Sequence, residues 1–167
     1  MTDETDYPRL ADDSHAAKLE SQGVHIERAN NLALLEKLEA GLQMKLPQSF
    51  ESLLLRYSFP SFDAGGITFF GWKSNSSEIF HVLPPNEGTL SELLLPSGYI
   101  QIGRPDTGDF DAVCFDLNRA KQNREYRIVR ADHEEILCNS RVRIVEELWP
   151  SFSNLAELCD IGTVAPD

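Results

Sequence analysis

Two stretches in the first third of the chain carry apolar residues at helical spacing. The apolar positions are Leu32, Leu35, Leu38 and Leu42 in the first stretch and Phe50, Leu53, Leu54 and Tyr57 in the second. Spacings of three and four residues predict amphipathic helices over residues 31–42 and 48–57. Asn30 or Asn31 is placed to cap the first helix, and Pro47 suits the first turn of the second. The sequence therefore predicts two helices that pack together as a corner.

Later stretches alternate apolar and polar residues, which is the pattern of strands with one buried face. The predicted strands cover residues 67–72, 99–102, 113–116 and 126–130, with a further candidate over 78–83, and the predicted helices cover 89–95 and 151–158. Residues 131–137 are predicted to form a turn followed by a short strand or a helical turn. Because the connections are short, we expect antiparallel pairing. The element order predicts an α+β single domain whose mainly antiparallel sheet is covered on one face by N- and C-terminal helices.

Composition along the chain predicts where the folded domain begins and ends. Residues 1–28 are mostly polar and are expected to form a peripheral extension, residues 29–162 the folded domain, and residues 163–167 a tail. A chain of 167 residues with 41% hydrophobic residues can bury one sizeable core. The side chains expected to be buried together in that core are Phe50, Leu53, Leu54, Phe69, Val113, Phe115 and Phe152.

The sequence also predicts the compartment in which the protein works. It contains no run of about 20 apolar residues, and its first residues are acidic where a secretory signal would be basic and then apolar. We therefore expect a soluble, cytoplasmic protein that does not associate with membranes. Its three cysteines, Cys114, Cys138 and Cys159, are too few and too widely spaced for a disulfide framework or a zinc site. We expect them to be reduced residues that serve mainly in packing.

The chain is strongly acidic, with a formal net charge of −12 and an isoelectric point near 4.7. The resulting negative potential opposes approach to nucleic acid and to anionic lipid. The same field would accelerate association with a basic protein through electrostatic steering. Acidity that serves only solubility is the alternative interpretation. Composition therefore excludes nucleic acid as an expected partner and leaves a basic protein as a candidate.

A turn rich in Gly, Pro and Asp joins the second and third predicted strands and concentrates carboxylates. The acidic residues in or beside it are Asp106, Asp109, Asp111 and Asp116. A hand-type calcium loop would need a closing Glu and a central Gly, which this stretch lacks. Phosphate binding is disfavoured because neither Gly103 nor Gly108 precedes a Lys-Ser/Thr pair and a strand follows. We therefore predict no metal and no cofactor, and expect Asp side chains that cap backbone N–H groups or reach outward to a partner.

His133 is the histidine most suggestive of catalysis, because Asp132, Glu134 and Glu135 surround it in sequence. A base held by a carboxylate is how general-base sites are built. However, no Ser or Cys nucleophile occupies a recognisable strand-to-helix elbow, and a turn histidine beside acids is more often a capping or surface residue. Cys114 lies on a predicted strand, where a buried thiol is inert. We predict no catalytic residues.

Several short motifs occur in a characteristic order along the chain. They are Leu46-Pro47-Gln48-Ser49-Phe50 before a helix, Ile102-Gly103 before the Asp-Gly turn, Val113-Cys114-Phe115-Asp116, Asp132-His133-Glu134, and Ser151-Phe152 before the last helix. In that order they resemble the SUKH superfamily, which includes fungal regulators of cell-wall glucan synthesis and many bacterial immunity proteins of polymorphic toxin systems. The resemblance covers about residues 30–160, with residues 73–98 departing from the pattern.

This resemblance implies an α+β binding module without enzymatic activity, which in bacteria typically neutralises a toxin. The expected partner is a basic, nuclease-like or other toxin domain, and a regulatory adaptor in cell-envelope synthesis or a small-ligand-binding protein is the alternative. By analogy, the positions expected to form an acidic and aromatic binding face are Trp72, Asp106, Asp109, Asp111, Asp116 and Glu134.

Overall fold

The computed structural model of the chain describes residues 11–72, 89–118 and 124–153. The helices of this part are α1 (Ala11–Ser21), α2 (Leu32–Leu42), α3 (Gln48–Arg56), α4 (Thr89–Leu94) and α5 (His133–Asn139). Its strands are β1 (Glu27–Arg28), β2 (Tyr57–Ser58), β3 (Phe62–Ala64), β4 (Ile67–Phe69), β5 (Tyr99–Pro105), β6 (Ala112–Asp116), β7 (Ile128–Ala131) and β8 (Ile144–Trp149). None of these helices is long and apolar enough to cross a membrane.

Strands β3 to β8 form one antiparallel sheet in which each strand pairs with the next along the chain. The predicted α+β fold with a mainly antiparallel sheet is therefore confirmed. The β3–β4 and β5–β6 connections are too short for a parallel crossover. Strands β1 and β2 form a separate small pair. The candidate strand at 78–83 and most of the predicted helix at 151–158 lie outside the described residues.

The larger core lies between one face of the sheet and helices α1, α2 and α3. All seven side chains predicted to share a core belong to it, at 5% exposure or less. Phe50 on α3 contacts Phe115 on β6 and Phe152, with ring centroids 5.1 and 5.0 Å apart respectively. The periodicity of α3 thus identified the correct face, since α3 presents Phe50 to the sheet.

The second face of the sheet is covered as well, contrary to the expectation that helices cover one face. Helices α4 and α5 pack there against the buried side chains of Ala112, Cys114, Val129 and Ala131, with Leu94 and Ile136 supplied by the helices. All five residues of β6 are buried. A strand buried on both faces appears in sequence as a continuous apolar run, and Ala112-Val113-Cys114-Phe115 is such a run. Helix α5 resolves the ambiguous stretch 131–137 in favour of helix.

Helix α1 lies within residues 1–28, which we predict to form a peripheral extension, but the helix is packed against the folded domain. It packs on α3 and buries Ala16 and Leu19, which are 4% and 1% exposed. A helix with so few apolar residues has little stability alone, and tertiary packing supplies it. Its attachment therefore depends on contacts that no local sequence pattern indicates.

Asn31 occupies the N-cap position of α2, as one of the two predicted candidates, but its side chain makes no capping hydrogen bond. Its side-chain amide is buried and donates hydrogen bonds to the carbonyls of Leu54 and Tyr57 at 2.9 and 3.0 Å. Asn30 provides the cap instead, because its Oδ1 accepts a hydrogen bond from the backbone N–H of Leu32 at 3.3 Å. Asn31 thereby ties the start of α2 to the end of α3.

Candidate functional site

The acidic loop, which we define as residues 106–111, connects β5 to β6 and is tied at both ends. The backbone N–H of Asp106 donates a hydrogen bond to a carbonyl in the β3–β4 turn at 2.9 Å. Gly108 has φ +90°, a conformation that glycine adopts without strain, so the chain reverses there. Asp109 Oδ1 accepts a hydrogen bond from the backbone N–H of Asp111 at 3.0 Å. The predicted capping of backbone N–H groups is therefore confirmed for Asp109.

Asp111 ends the loop, and strand pairing fixes its surroundings. The register that places Ala112 opposite Ala131 brings Asp111 beside the residues that follow β7. Its carboxylate is buried, with the residue 6% exposed. Oδ1 accepts hydrogen bonds from the backbone N–H and the Nδ1 of His133 at 3.0 and 2.6 Å. Oδ2 accepts one from Nε of Arg130 at 2.7 Å. The expectation that the Asp111 side chain reaches outward to a partner is therefore wrong, because this side chain is enclosed in the fold.

Asp109 joins the same group of charges. Its Oδ2 lies 3.2 Å from Nη2 of Arg130, and its Oδ1 lies 3.4 Å from Nδ1 of His133. We call Asp109, Asp111, Arg130 and His133 the ionic cluster. Two carboxylates from the loop thus face two basic side chains from β7 and α5, and the cluster fixes the loop to the end of the sheet.

The electrostatics of the ionic cluster favour its charged form. Burial opposes ionisation of Asp111, but hydrogen bonds from His133 and Arg130 outweigh it and lower the pKa of Asp111. The hydrogen bond to Asp111 raises the pKa of His133 above its ordinary value. The same carboxylate raises the pKa of Arg130. The cluster is therefore held together by charge-assisted hydrogen bonds, which are stronger than neutral ones.

Ligand atoms of Asp109, Asp111 and His133 lie within 4.8 Å of one another, a spacing compatible with a metal ion. However, Arg130 already contacts one oxygen of each carboxylate, and His133 directs Nδ1 to Asp111. A divalent cation there would have to compete with a guanidinium for the same oxygens. We therefore assign the group as an ion-pair network.

The partners of His133 differ from the sequence neighbours considered for it. Asp132 caps α5, because its Oδ1 accepts a hydrogen bond from the backbone N–H of Glu134 at 2.9 Å. In the described part of the chain, no Ser or Cys side chain forms a hydrogen bond with His133. Cys114 is fully buried, and burial raises the pKa of its thiol, which keeps it protonated. These residues do not assemble a nucleophile and a base.

Asp116 is a second buried carboxylate, 1% exposed, at the far end of β6. Its Oδ2 accepts hydrogen bonds from Arg127 at 2.9 Å from Nε and 2.8 Å from Nη2. Its Oδ1 accepts one from the backbone N–H of Asn118 at 2.9 Å. Burial opposes the charge of Arg127, but Asp116 outweighs it and raises the pKa of Arg127. Asp116 is thus enclosed within the fold and separate from the acidic loop.

Trp72 is also enclosed, although we expected it on an acidic and aromatic face. Its side chain is fully buried, and Nε1 donates a hydrogen bond to the carbonyl of Leu54 at 2.8 Å. A large aromatic ring with a satisfied N–H is a good core residue, and α3 provides both the apolar contact and the acceptor. Trp72 and Asp116 therefore do not contribute to an exposed face.

The remaining expected positions lie at the surface. Asp106 and Glu134 are exposed, and Asp109 is partly exposed despite its ion pair. Sequence reasoning overlooked Phe110, whose side chain is 65% exposed on the same loop. Its ring meets that of His133 edge-on, with centroids 5.9 Å apart. The signal that could have revealed it is the position of an aromatic residue between two aspartates, before the apolar run of β6 begins.

Comparison with known proteins places the chain in a family. A model of the SMI1/KNR4 family (SUKH-1) matches residues 30–157. That range contains the acidic loop, the ionic cluster and the whole antiparallel sheet. A search of curated proteins found no match to the chain.

Proposed function

Because the chain belongs to the SMI1/KNR4 family (SUKH-1), we propose that it is a non-enzymatic protein-binding module, specifically a bacterial immunity protein that neutralises a cognate polymorphic toxin. The family is generally non-catalytic. The proposed partner is a basic toxin domain, nuclease-like or of another type, and the proposed site of action is the cytoplasm.

One structural observation supports the proposal that the chain is not an enzyme. The three side chains that most resemble catalytic or metal-binding groups, Asp109, Asp111 and His133, are bonded to one another and to Arg130. A carboxylate–histidine pair can also serve as a general base, but in the described residues no Ser or Cys side chain forms a hydrogen bond with His133, so these ion pairs support a role in positioning the loop. What the loop offers to solvent is a partly exposed Asp109, an exposed Asp106 and an aromatic ring. Such a surface suits recognition.

The charge of the chain supports a basic partner. A net charge of −12 attracts a cationic protein, and at physiological ionic strength the attraction extends over a Debye length of about 8 Å. Steering of this kind raises the association rate, and salt reduces it. A toxin must be captured before it acts, so a fast association rate is useful to an immunity protein.

The proposal predicts that a toxin domain is encoded next to the gene of this chain, and it is tested by measuring association between the purified chain and that purified domain. Stopped-flow rates at low and high salt are compared for the original chain and for Asp106→Lys, which lies on the acidic loop. The matched control is Glu36→Lys on α2, an exposed acid on the other side of the sheet from α5. Both substitutions change the net charge from −12 to −10, by +2.

We expect Asp106→Lys to lower the association rate and its salt dependence much more than Glu36→Lys does. Equal effects would mean that the total charge steers the partner and that the loop is not the contact. Absence of any complex with the toxin domain would contradict the immunity function itself.

A further inference from the structure

Few large apolar side chains are exposed among the described residues, and two of them lie on segments that contact each other, the acidic loop and helix α5. They are Leu32, Phe110, Leu137 and Val145, at 51%, 65%, 55% and 48% exposure. Single exposed apolar residues are normal on protein surfaces and need no explanation. An exposed aromatic ring on a loop that ion pairs hold in place does suggest a function.

Phe110 and Leu137 are both linked to His133, the first by a ring contact and the second by its position on α5. The Phe110 ring contacts the His133 ring edge-on, and Leu137 follows His133 by four residues on α5. Residues four apart on a helix lie on the same side, one turn apart. We call these three residues, Phe110 on the acidic loop and His133 and Leu137 on α5, the Phe110 patch. It joins the acidic loop to the second helical layer.

The Phe110 ring is presented by a loop that is already ordered. Hydrogen bonds tie the loop at Asp106 and at Asp111, and the ionic cluster holds the residues on both sides of Phe110. Ordering a flexible loop on binding costs conformational entropy, and a preorganised loop avoids most of that cost. The buried Asp111 and the partly exposed Asp109 thus hold the backbone on both sides of an exposed aromatic ring, as a rigid binding anchor requires.

Acidic side chains surround the Phe110 patch. Asp106 and Asp109 are on the same loop, and Glu134 is the exposed neighbour of His133. This arrangement fits a partner cleft that is apolar at its base and lined by Lys or Arg at its edge. Cationic side chains there could pair with the carboxylates and also contact the face of the ring. A second copy of this chain fits poorly, because two chains of charge −12 repel each other.

We propose that the Phe110 patch is the recognition surface of the protein, with Phe110 as an anchor that inserts into an apolar cleft, bordered by basic residues, on a protein partner. This inference rests on the proposed function, because it takes the partner to be a basic protein. It goes further by naming the surface and the shape of the partner site. Aromatic residues inserted in desolvated pockets carry a large share of the energy in many interfaces.

The experiment replaces Phe110 by the photocrosslinking amino acid p-benzoylphenylalanine in the native cell. The control carries the same amino acid at Leu32, an equally accessible apolar site on α2. Crosslinked proteins are identified by mass spectrometry, and the main one is then purified. Its binding to the original chain, to Phe110→Ala and to Leu32→Ala is measured by calorimetry. Thermal unfolding of each variant confirms that it is folded.

We expect crosslinking from position 110, and not from position 32, to a basic protein at a peptide that contains apolar residues and Lys or Arg. Phe110→Ala should weaken binding of that protein by about 30-fold or more, the range of an interface hot spot, and Leu32→Ala should leave it unchanged. Because both side chains are exposed, neither variant should lose much thermal stability.

Each other outcome overturns a defined part of the account. Crosslinking of a basic protein from position 32 alone, or equal binding by Phe110→Ala, would reject the Phe110 patch and leave the proposed function intact. Crosslinking to a second copy of the chain or to an acidic protein would reject the stated partner. Absence of any basic protein at both positions would also reject the Phe110 patch, whereas the proposed function fails only if the chain forms no complex with a toxin domain.

Discussion

Replacing Asp111 by Asn tests the ionic cluster, because it removes one charge while keeping the shape of the side chain. An Asn side chain can still accept the hydrogen bond from the backbone N–H of His133. It cannot satisfy both Nδ1 of His133 and Nε of Arg130, which now donate to an ionised carboxylate. The substitution therefore leaves at least one basic group without its partner.

The expected cost can be worked from the exposure of the groups. Breaking a fully buried ion pair by removing one partner costs about 3–5 kcal/mol. Here the carboxylate is 9% exposed, but the side chains of Arg130 and His133 are 26% and 21% exposed, so water compensates in part. Hydrogen bonds to charged groups contribute about 1.5–3 kcal/mol each. We therefore expect Asp111→Asn to lower the free energy of unfolding by about 2–3 kcal/mol at neutral pH, given those ranges.

The pH dependence provides a second, independent signature. The pKa of Asp111 is lowered in the folded state, so its contribution is present above its ordinary pKa of 3.8 and is lost as pH falls through the folded value. The pKa of His133 is raised, so its contribution is present below its ordinary pKa of 6.5 and is lost as pH rises through the folded value. The difference between the two proteins should therefore be largest between pH 3.8 and 6.5 and should decrease on both sides.

Urea unfolding of both proteins, followed by tryptophan fluorescence across this pH range, measures the difference directly. Arg130→Lys is a suitable comparison, since it keeps the charge and loses the planar guanidinium. A difference below about 0.5 kcal/mol at pH 6, the range of ordinary surface substitutions, would refute the ionic cluster as a stabilising element. A difference that does not vary with pH would refute the assigned protonation states.

Three further substitutions are tested by urea unfolding, two for the packing of the fold and one for the ionisation of a partly buried carboxylate. Phe115→Ala should cost about 3–5 kcal/mol because the ring is fully buried, and a loss below about 1 kcal/mol would contradict the assigned strand face. Gly103→Ala should cost about 1–3 kcal/mol, because a Cβ there would lie 2.6 Å from the backbone oxygen of Thr68 and strand β4 would have to shift. An unchanged urea midpoint of unfolding would refute that close approach. Burial and the carboxylate of Glu51 raise the pKa of Glu39 in the folded state, so the original chain should lose stability as pH rises above 4.5. The variant Glu39→Gln should not show this loss. Identical pH profiles for the two proteins would show that Glu39 ionises freely.

The parts of the fold that the sequence predicted are those fixed by local periodicity. Helices α2 and α3 follow from leucines and aromatic residues at spacings of three and four, and the β5–β6 hairpin follows from two alternating runs around a Gly- and Asp-rich turn. Helix α1 could not be predicted with the same support, because Ala16 and Leu19 are buried by tertiary packing, mainly on α3. The second helical layer was overlooked because a strand buried on both faces gives no alternation to read.

The candidate site was less predictable because its contacts join residues distant in sequence. Asp111 meets Arg130 and His133 across 19 and 22 residues, and only the register of β6 with β7 brings them together. Four aspartates in one stretch appear equivalent in sequence, but pairing encloses Asp111 and leaves Asp106 exposed. The exposure of Phe110 has the same origin, because the enclosure of Asp111 fixes the direction in which its neighbour points.

The central claim is that the chain binds and neutralises a basic toxin, and growth of cells measures it most directly. The toxin domain that the proposal predicts to be encoded next to this gene is induced in a host that carries the original chain, Phe110→Ala or no copy of the gene. The account predicts that the original chain restores growth, that cells without the gene stop growing, and that Phe110→Ala protects less although it accumulates to the same level. Equal growth arrest with and without the original chain, when the chain is present and folded, would contradict the account.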